Sequence, residues 1–419
     1  MLKFIGYFLI YLSCHFNLPS LAAYIVRVSI QRKIFFPKKI KSKKITIVLS
    51  RSIGLRDIEI IQESSNKAPE FLFLERSITK LIFLYFCKNN FSLFNYLKPL
   101  AYEKDYFNQN KNYKKKHEQF WTDIIFNLKK YYNNKTLNLI TFNYTYYAEV
   151  GLYVGCNLNN VPVKLWHKEG IKTNLEAQLE AKKRGHQYQH VFKYFHSIST
   201  YNKTVKKMFI KIDRSNANKI TVNGCPRIKD YIIKKKYHRK IKTLLLLSFN
   251  NKRGIPAFKK NKDLNWQLSY NKVLNILNEL SNIKDLKIMI KNKLNFKDQS
   301  NIKINKKIKI FSSGTAKEFI NKADIIIGQN SSATIEALVN GKYVIVPFLE
   351  KKNSQKKYLY KFNRKIIYNS ERKIKDKILS LINKKVSFPL NNVMHQKTIR
   401  YYLGDSKNII KNYLNFLNN

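Results

Sequence analysis

The stretch from Ala323 to Glu350 leaves the chain the least freedom. Asp324 to Gly328 is a short run rich in isoleucine, the composition of a strand buried on both faces. Gln329 to Ser332 is polar and turn-like, with Ser331 or Ser332 placed to cap a helix. From Ala333 to Val339, the residues Ala333, Ile335, Ala337 and Leu338 give that helix one apolar side. Asn340-Gly341 stops it, and Tyr343 to Val346 reads as the next buried strand, closed by Pro347. The whole is one βαβ unit, and its polar residues fall at the carboxyl end of the first strand, which in a parallel sheet faces the ligand crevice. There Asn330, Ser331, Ser332 and Thr334 offer an amide, hydroxyls and unpaired helix N–H groups to an anion, with Glu336 in the first turns of the helix.

Strand and helix alternate along most of the remaining chain, which predicts parallel α/β sheets. Ile45 to Leu49 is the first strand, and Ser50 to Gly54 is a polar loop in which Arg51 and Gly54 are candidates to hold an acceptor or a phosphate. Val161 to Leu165 runs into Trp166-His167-Lys168-Glu169-Gly170. A hydroxyl is a poor nucleophile until a base begins to take its proton, and a carboxylate beside a glycine at a strand end suits that task. Glu169 is the first choice for such a base and His167 the second. Ile220 to Val222 meets the turn Asn223-Gly224-Cys225-Pro226-Arg227, and a basic linker, Lys234 to Lys242, follows. Thr243 to Phe249 opens a second set of strands, and its loop places Arg253 at the crevice. The expected organisation is an apolar and then basic segment over residues 1–44, a first Rossmann-like domain over 45–233, a second over 243–400 and a terminal helix over 401–419.

Two stretches carry a resemblance. Ser331-Ser332-Ala333-Thr334-Ile335-Glu336-Ala337, followed by Gly341-Lys342 and the strand to Val346, resembles the donor-binding half of GT-B glycosyltransferases that build bacterial surface carbohydrates. Gly224-Cys225-Pro226-Arg227 resembles the interdomain turn of the same enzymes, with Asp230 one residue later than in their pattern. The resemblance implies two Rossmann-like domains facing a cleft, a nucleotide sugar in the second domain and a glycan or lipid-linked acceptor in the first. It implies that Arg227, Ser331, Ser332 and Arg253 hold the departing phosphates and that Glu336 contacts donor hydroxyls. Polyol-phosphate transferases and NDP-sugar epimerases share the fold. The former usually carry cleft histidines, and Asn292 stands where one is often found. No Asp-x-Asp motif asks for a metal, and no cofactor is expected beyond the donor itself.

The 80 Lys and Arg against 26 Asp and Glu give a formal charge of +54, which favours anionic partners. Lys, Asn, Ile and Tyr are all abundant, so part of this charge reflects compositional bias, and no specific nucleic acid is expected. A non-enzymatic basic protein binding membrane or nucleic acid would account for the charge but not for the ordered βα punctuation. Four scattered cysteines, Cys14, Cys87, Cys156 and Cys225, form no ligand cluster and fit a reducing cytoplasm. Phe4 to Cys14 is apolar but falls short of the roughly 20 residues of a spanning helix. A secretory signal, a helix packed on its own domain, and an in-plane helix at the inner face of the plasma membrane all fit it. The in-plane contact is preferred, because the basic segment Arg32 to Lys44 follows and would meet anionic headgroups.

Overall fold

The computed structural model describes residues 2–30, 42–50, 52–87, 111–133, 135–144, 146–168, 172–233, 235–248, 266–292, 302–329, 331–349, 364–390, 393–405 and 407–418. The chain opens with a helical hairpin, α1 (Leu2–His15) and α2 (Pro19–Ile30). A first α/β unit follows: β1 (Lys44–Leu49), α3 (Ser52–Ser64), β2 (Glu70–Leu74), α4 (Arg76–Cys87), α5 (Lys111–Tyr131), β3 (Thr136–Thr141), α6 (Val150–Leu158), β4 (Val163–Trp166), α7 (Asn174–Phe192), β5 (Ser197–Thr200), α8 (Lys203–Ile212) and β6 (Ile220–Val222). A connector holds the one-turn α9 (Ile228–Tyr231) and β7 (Tyr237–Lys240). The second unit runs through β8 (Thr243–Leu247), α10 (Trp266–Leu280), β9 (Lys287–Lys291), β10 (Lys309–Phe311), α11 (Ala316–Lys322), β11 (Ile325–Ile327), α12 (Ser332–Val339), β12 (Tyr343–Pro347), β13 (Ile367–Tyr368) and α13 (Glu371–Leu381). The chain closes with β14 (Lys385–Phe388), α14 (Val393–Leu403) and α15 (Ile409–Asn418).

Among the described residues both large sheets are six-stranded, and every pairing in them is parallel. The first has the order β2-β1-β3-β4-β5-β6, which reverses between β1 and β3. The second has the order β10-β9-β8-β11-β12-β13, the 3-2-1-4-5-6 order of dinucleotide-binding sheets, and reverses between β8 and β11. The strands are near-continuous apolar runs because helices cover both faces: Leu244, Leu245, Leu246, Ile325, Ile326 and Ile327 are all fully buried. Two Rossmann-like domains are the architecture that the alternation predicts, and the apolar N-terminal segment forms the α1–α2 hairpin.

Each domain has its own apolar core, and a further cluster spans the two. Ile58, Phe142 and Trp166 of the first pack in the same cluster as Leu245, Ile326 and Ile335 of the second. The chain's last helix returns to the first sheet. Tyr413 stacks on Trp166 with ring centroids 4.1 Å apart, and the Lys164 ammonium donates to the Phe416 and Leu417 carbonyls at 3.0 Å each. That lysine closes the end of α15 where carbonyls otherwise lack partners, and it neutralises the negative end of the helix. The crossing needs two glycines with positive φ. A Cβ at Gly224 would stand 2.8 Å from the Asp405 carbonyl oxygen, and one at Gly404 2.1 Å from the Tyr201 carbonyl oxygen.

Several local expectations change. Gly54 does not lie in a loop: α3 begins at Ser52, and Gly54 sits in its first turn, where a Cβ would meet the Phe142 ring at 2.5 Å. The glycine therefore lets the helix approach the end of β3. The cap of α7 is Thr173. Its hydroxyl accepts from the Glu176 N–H, and the Glu176 carboxylate accepts from the Thr173 N–H at 2.6 Å. The basic linker contains β7, which pairs antiparallel with β14.

Candidate donor and acceptor cleft

The serine turn stands where the strand order of the second sheet reverses. β11 delivers Gly328 and Gln329 at its carboxyl end, and Ser331 caps α12, its hydroxyl accepting the Thr334 N–H at 3.3 Å. Thr334 is fully buried and locks the turn: its hydroxyl donates to the Gln329 carbonyl at 2.7 Å and lies 3.0 Å from the Ser331 hydroxyl. Gln329 is fixed in turn by donating to the Pro347 carbonyl at 2.9 Å. Ser331 and Thr334 shape the turn, and Ser331 and Ser332 are both partly exposed at the start of α12, where the first N–H groups of a helix lack intrahelical partners. Asn330, Arg51, Arg253 and Glu169 lie outside the described residues.

Glu336 lies one turn into α12, its side chain only 7% exposed. Burial pushes its carboxyl above the usual range, opposed by the Arg227 guanidinium and by a hydrogen bond from Tyr231. Arg227 reaches in from the turn after β6. Its Nε lies 3.0 Å from Oδ1 of Asp57, and its Nη1 lies 3.9 Å from Oε1 of Glu336. Asp57, on α3, is completely buried and also accepts a hydrogen bond from the Tyr201 hydroxyl. Burial raises the Asp57 carboxyl, and Arg227 opposes the rise.

This arrangement fixes how the domains meet. Asp57 stands near the start of α3, at the carboxyl edge of the first sheet, and Glu336 near the start of α12, at the carboxyl edge of the second. One guanidinium reaches both, so the two ligand-facing edges converge on Arg227. A second junction lies beside it. Arg56 on α3 binds Asp230 through two bonds of 2.7 and 2.8 Å, and Lys317 on α11 reaches the same carboxylate at 3.1 Å. Arg56 foremost holds the Asp230 carboxyl below the ordinary range. Asp230, displaced by one residue in the sequence pattern, thus bridges the two domains.

The first domain's side of the cleft is less complete among the described residues. His167 is buried between the rings of Tyr144 and Phe209, with centroids at 5.4 and 5.0 Å, and burial pushes its pKa well below that of a free imidazole. It packs in the core of the first domain, only 2% exposed. At the ends of β2 and β3, Arg76 pairs with the buried Glu149 at 2.7 Å and lies 3.6 Å over the Tyr146 ring. Glu149 is further held by Tyr153 at 2.6 Å and Thr141 at 3.1 Å. Neither this cluster nor the Asp57–Arg227 pair is apparent in the sequence. The one hint is that Arg76 opens the helix that follows β2.

No protein-family profile matches the sequence, and no curated protein does. Solved structures do. The chain is similar to the wall teichoic acid polymerase TagF at 9% identity, covering 99% of this chain and 97% of that one with a TM-score of 0.49. It is similar to the UDP-GlcNAc 2-epimerase from Methanocaldococcus jannaschii at 13% identity, with 85% and 98% covered and a TM-score of 0.46. A third is the lipopolysaccharide outer core galactosyltransferase WaaB, at 11% identity, with 89% and 98% covered and a TM-score of 0.42.

Proposed function

We propose that the chain is a glycosyltransferase of the GT-B type, moving a sugar from a nucleotide-activated donor to a surface glycan or its lipid-linked precursor at the inner face of the plasma membrane. The observation that carries this reading is the capped serine turn at the order reversal of the second sheet, facing the carboxyl edge of the first across Arg227. In an open parallel sheet that position is where a nucleotide lies, with its phosphates on the helix N-terminus. Ser332, the N–H groups of α12 and the cations Arg227 and Arg253 bind the leaving diphosphate. Fixed donors of this kind stabilise negative charge as the glycosidic bond breaks. Asn330 adds an amide to phosphate binding, Glu336 orients donor hydroxyls, and Arg51 binds on the acceptor side. Glu169, at the end of β4, takes the proton from the acceptor hydroxyl.

Glu169→Gln should reduce transfer by about 10²- to 10⁴-fold, the usual contribution of a general base. Donor affinity by calorimetry should stay within about twofold, since a base on the acceptor side adds little to ground-state donor binding. Full turnover by Glu169→Gln would remove it from the mechanism. Donor incubated without acceptor should yield no epimerised nucleotide sugar; an epimer formed under those conditions would make the chain an epimerase.

A further inference from the structure

The α1–α2 hairpin has apolar residues on both sides. Its inner side is already satisfied: Ile10 and Cys14 of α1, with Ala22, Ala23 and Val26 of α2, are at most 3% exposed. A helix on the surface of a domain ordinarily turns charged and polar residues outward. Here the outward side carries Phe4, Ile5, Phe8 and Phe16, between 44% and 63% exposed. At about 100° per residue these four fall within roughly one third of the helix circumference, a stripe about 20 Å long. Leu18, Leu21 and Tyr24 extend it along α2. Among the described residues, seven of the sixteen large exposed hydrophobics lie between positions 4 and 24, so this is a patch rather than scattered exposure.

The charge beside the patch says what covers it. Neither helix contains an Asp or Glu. The hairpin is tied to α5 through Ser20 and Asn127 at 3.4 Å, and there cations sit on aromatic rings: Arg27 lies 4.9 Å over Tyr131, and Lys130 lies 4.3 Å over the half-exposed Phe126. Apolar side chains rimmed by Lys, Arg and Tyr match the boundary between acyl chains and anionic headgroups. A second copy of a chain with a formal charge of +54 would be repelled instead. Among the described residues no helix is long and apolar enough to cross a membrane, so the hairpin would lie on the bilayer.

Its position relative to the cleft gives the contact a use. The Tyr7 hydroxyl donates to Glu75 at 2.9 Å and lies 2.6 Å from the Ser77 hydroxyl, and Glu75 is the residue directly after β2. The first turns of α1, with Phe4, Ile5 and Phe8, are therefore fastened at the carboxyl edge of the first sheet, the acceptor side of the cleft. We propose that the outer face of α1 and α2 inserts into an anionic bilayer surface and seats the acceptor crevice against it, so that a lipid-linked acceptor enters without leaving the membrane. The acceptor half of this statement rests on the transfer reading; the bilayer contact does not.

The test is flotation of the full chain with vesicles of phosphatidylglycerol and phosphatidylcholine in equal parts. Wild type should float, and the exposed triple change Phe4→Ser, Phe8→Ser, Phe16→Ser should weaken partitioning by roughly tenfold or more through lost apolar insertion. Leu158→Ser, on α6 and 67% exposed, should float like wild type, which controls for a general loss of apolar surface. Equal flotation of the triple variant and wild type, or no flotation of wild type, overturns the contact. So does a lipid-free dimer in sedimentation that the triple change converts to monomer without any vesicle binding, which would assign the face to a second copy. Donor calorimetry on the same samples separates the two claims. Flotation without donor heat would refute the transfer reading alone, and donor heat without flotation would refute the contact alone.

Discussion

Arg227→Met should lower stability by about 3–5 kcal/mol, the range for breaking one partner of a buried ion pair, because it leaves Asp57 charged and enclosed. With about 2–4 °C of melting temperature per kcal/mol for domains of this size, the midpoint should fall by roughly 10 °C. The pH dependence has a definite sign. The native Asp57 carboxyl is raised above its unfolded value, so the stability it contributes is full below the unfolded value and is lost as pH rises through the native one. Without Arg227 to oppose that rise, the penalty should be small in acid and grow toward neutral pH. Adding Asp57→Asn should recover most of the loss, since the amide oxygen can still accept from Tyr201 and no buried charge remains. A single variant as stable as wild type at neutral pH would show that the pair does not hold the junction. The recovered double variant also tests the phosphate role: donor affinity should fall at least roughly tenfold, the value of one charge-assisted bond. Unchanged affinity would leave Arg227 a purely structural residue.

Glu336→Gln should weaken donor binding by about 10- to 100-fold, because a carboxylate accepting from sugar or ribose hydroxyls contributes about 1.5–3 kcal/mol more than a lost contact would. The fold should survive: the amide can still accept from Tyr231, and at 3.9 Å the ion pair with Arg227 is long. Since burial raises the Glu336 carboxyl, wild-type donor affinity should strengthen as pH rises through that raised value, while the glutamine variant should show no such rise. Equal affinity in both proteins across the pH range would remove Glu336 from the donor site.

What could be read from the sequence was local. The serine turn, the Asn340-Gly341 stop and the isoleucine-rich strands are dictated by neighbours within a few residues, and each stands where its composition puts it. The domain junction was not readable in that way. Asp57 and Arg227 are 170 positions apart, and nothing near either one announces the other. Arg227 was legible as a cation at an interdomain turn, yet its nearest charge is Asp57, a buried carboxylate on a helix far back in the first domain. The same limit explains β7, hidden in a lysine-rich connector because its partner β14 lies far along the chain. Thr173 and Asn174 are equally suited to cap α7, and only the reciprocal bond between Thr173 and Glu176 decides between them. The surroundings of His167 were equally hidden. A histidine at a strand end reads as chemistry, but rings from Tyr144 and Phe209 enclose it.

The central claim is a nucleotide-sugar site on the serine turn. Titration calorimetry of the full chain against a panel of nucleotide sugars tests it most directly, run at low salt beside the Thr334→Val variant, whose turn loses the hydroxyl that joins Gln329 to Ser331. The account predicts saturable heat from at least one nucleotide sugar for wild type and at least roughly tenfold weaker binding for the variant, as expected when a preorganised anion site is loosened. No heat from any nucleotide sugar, alongside tight salt-sensitive binding of nucleic acid, would contradict it.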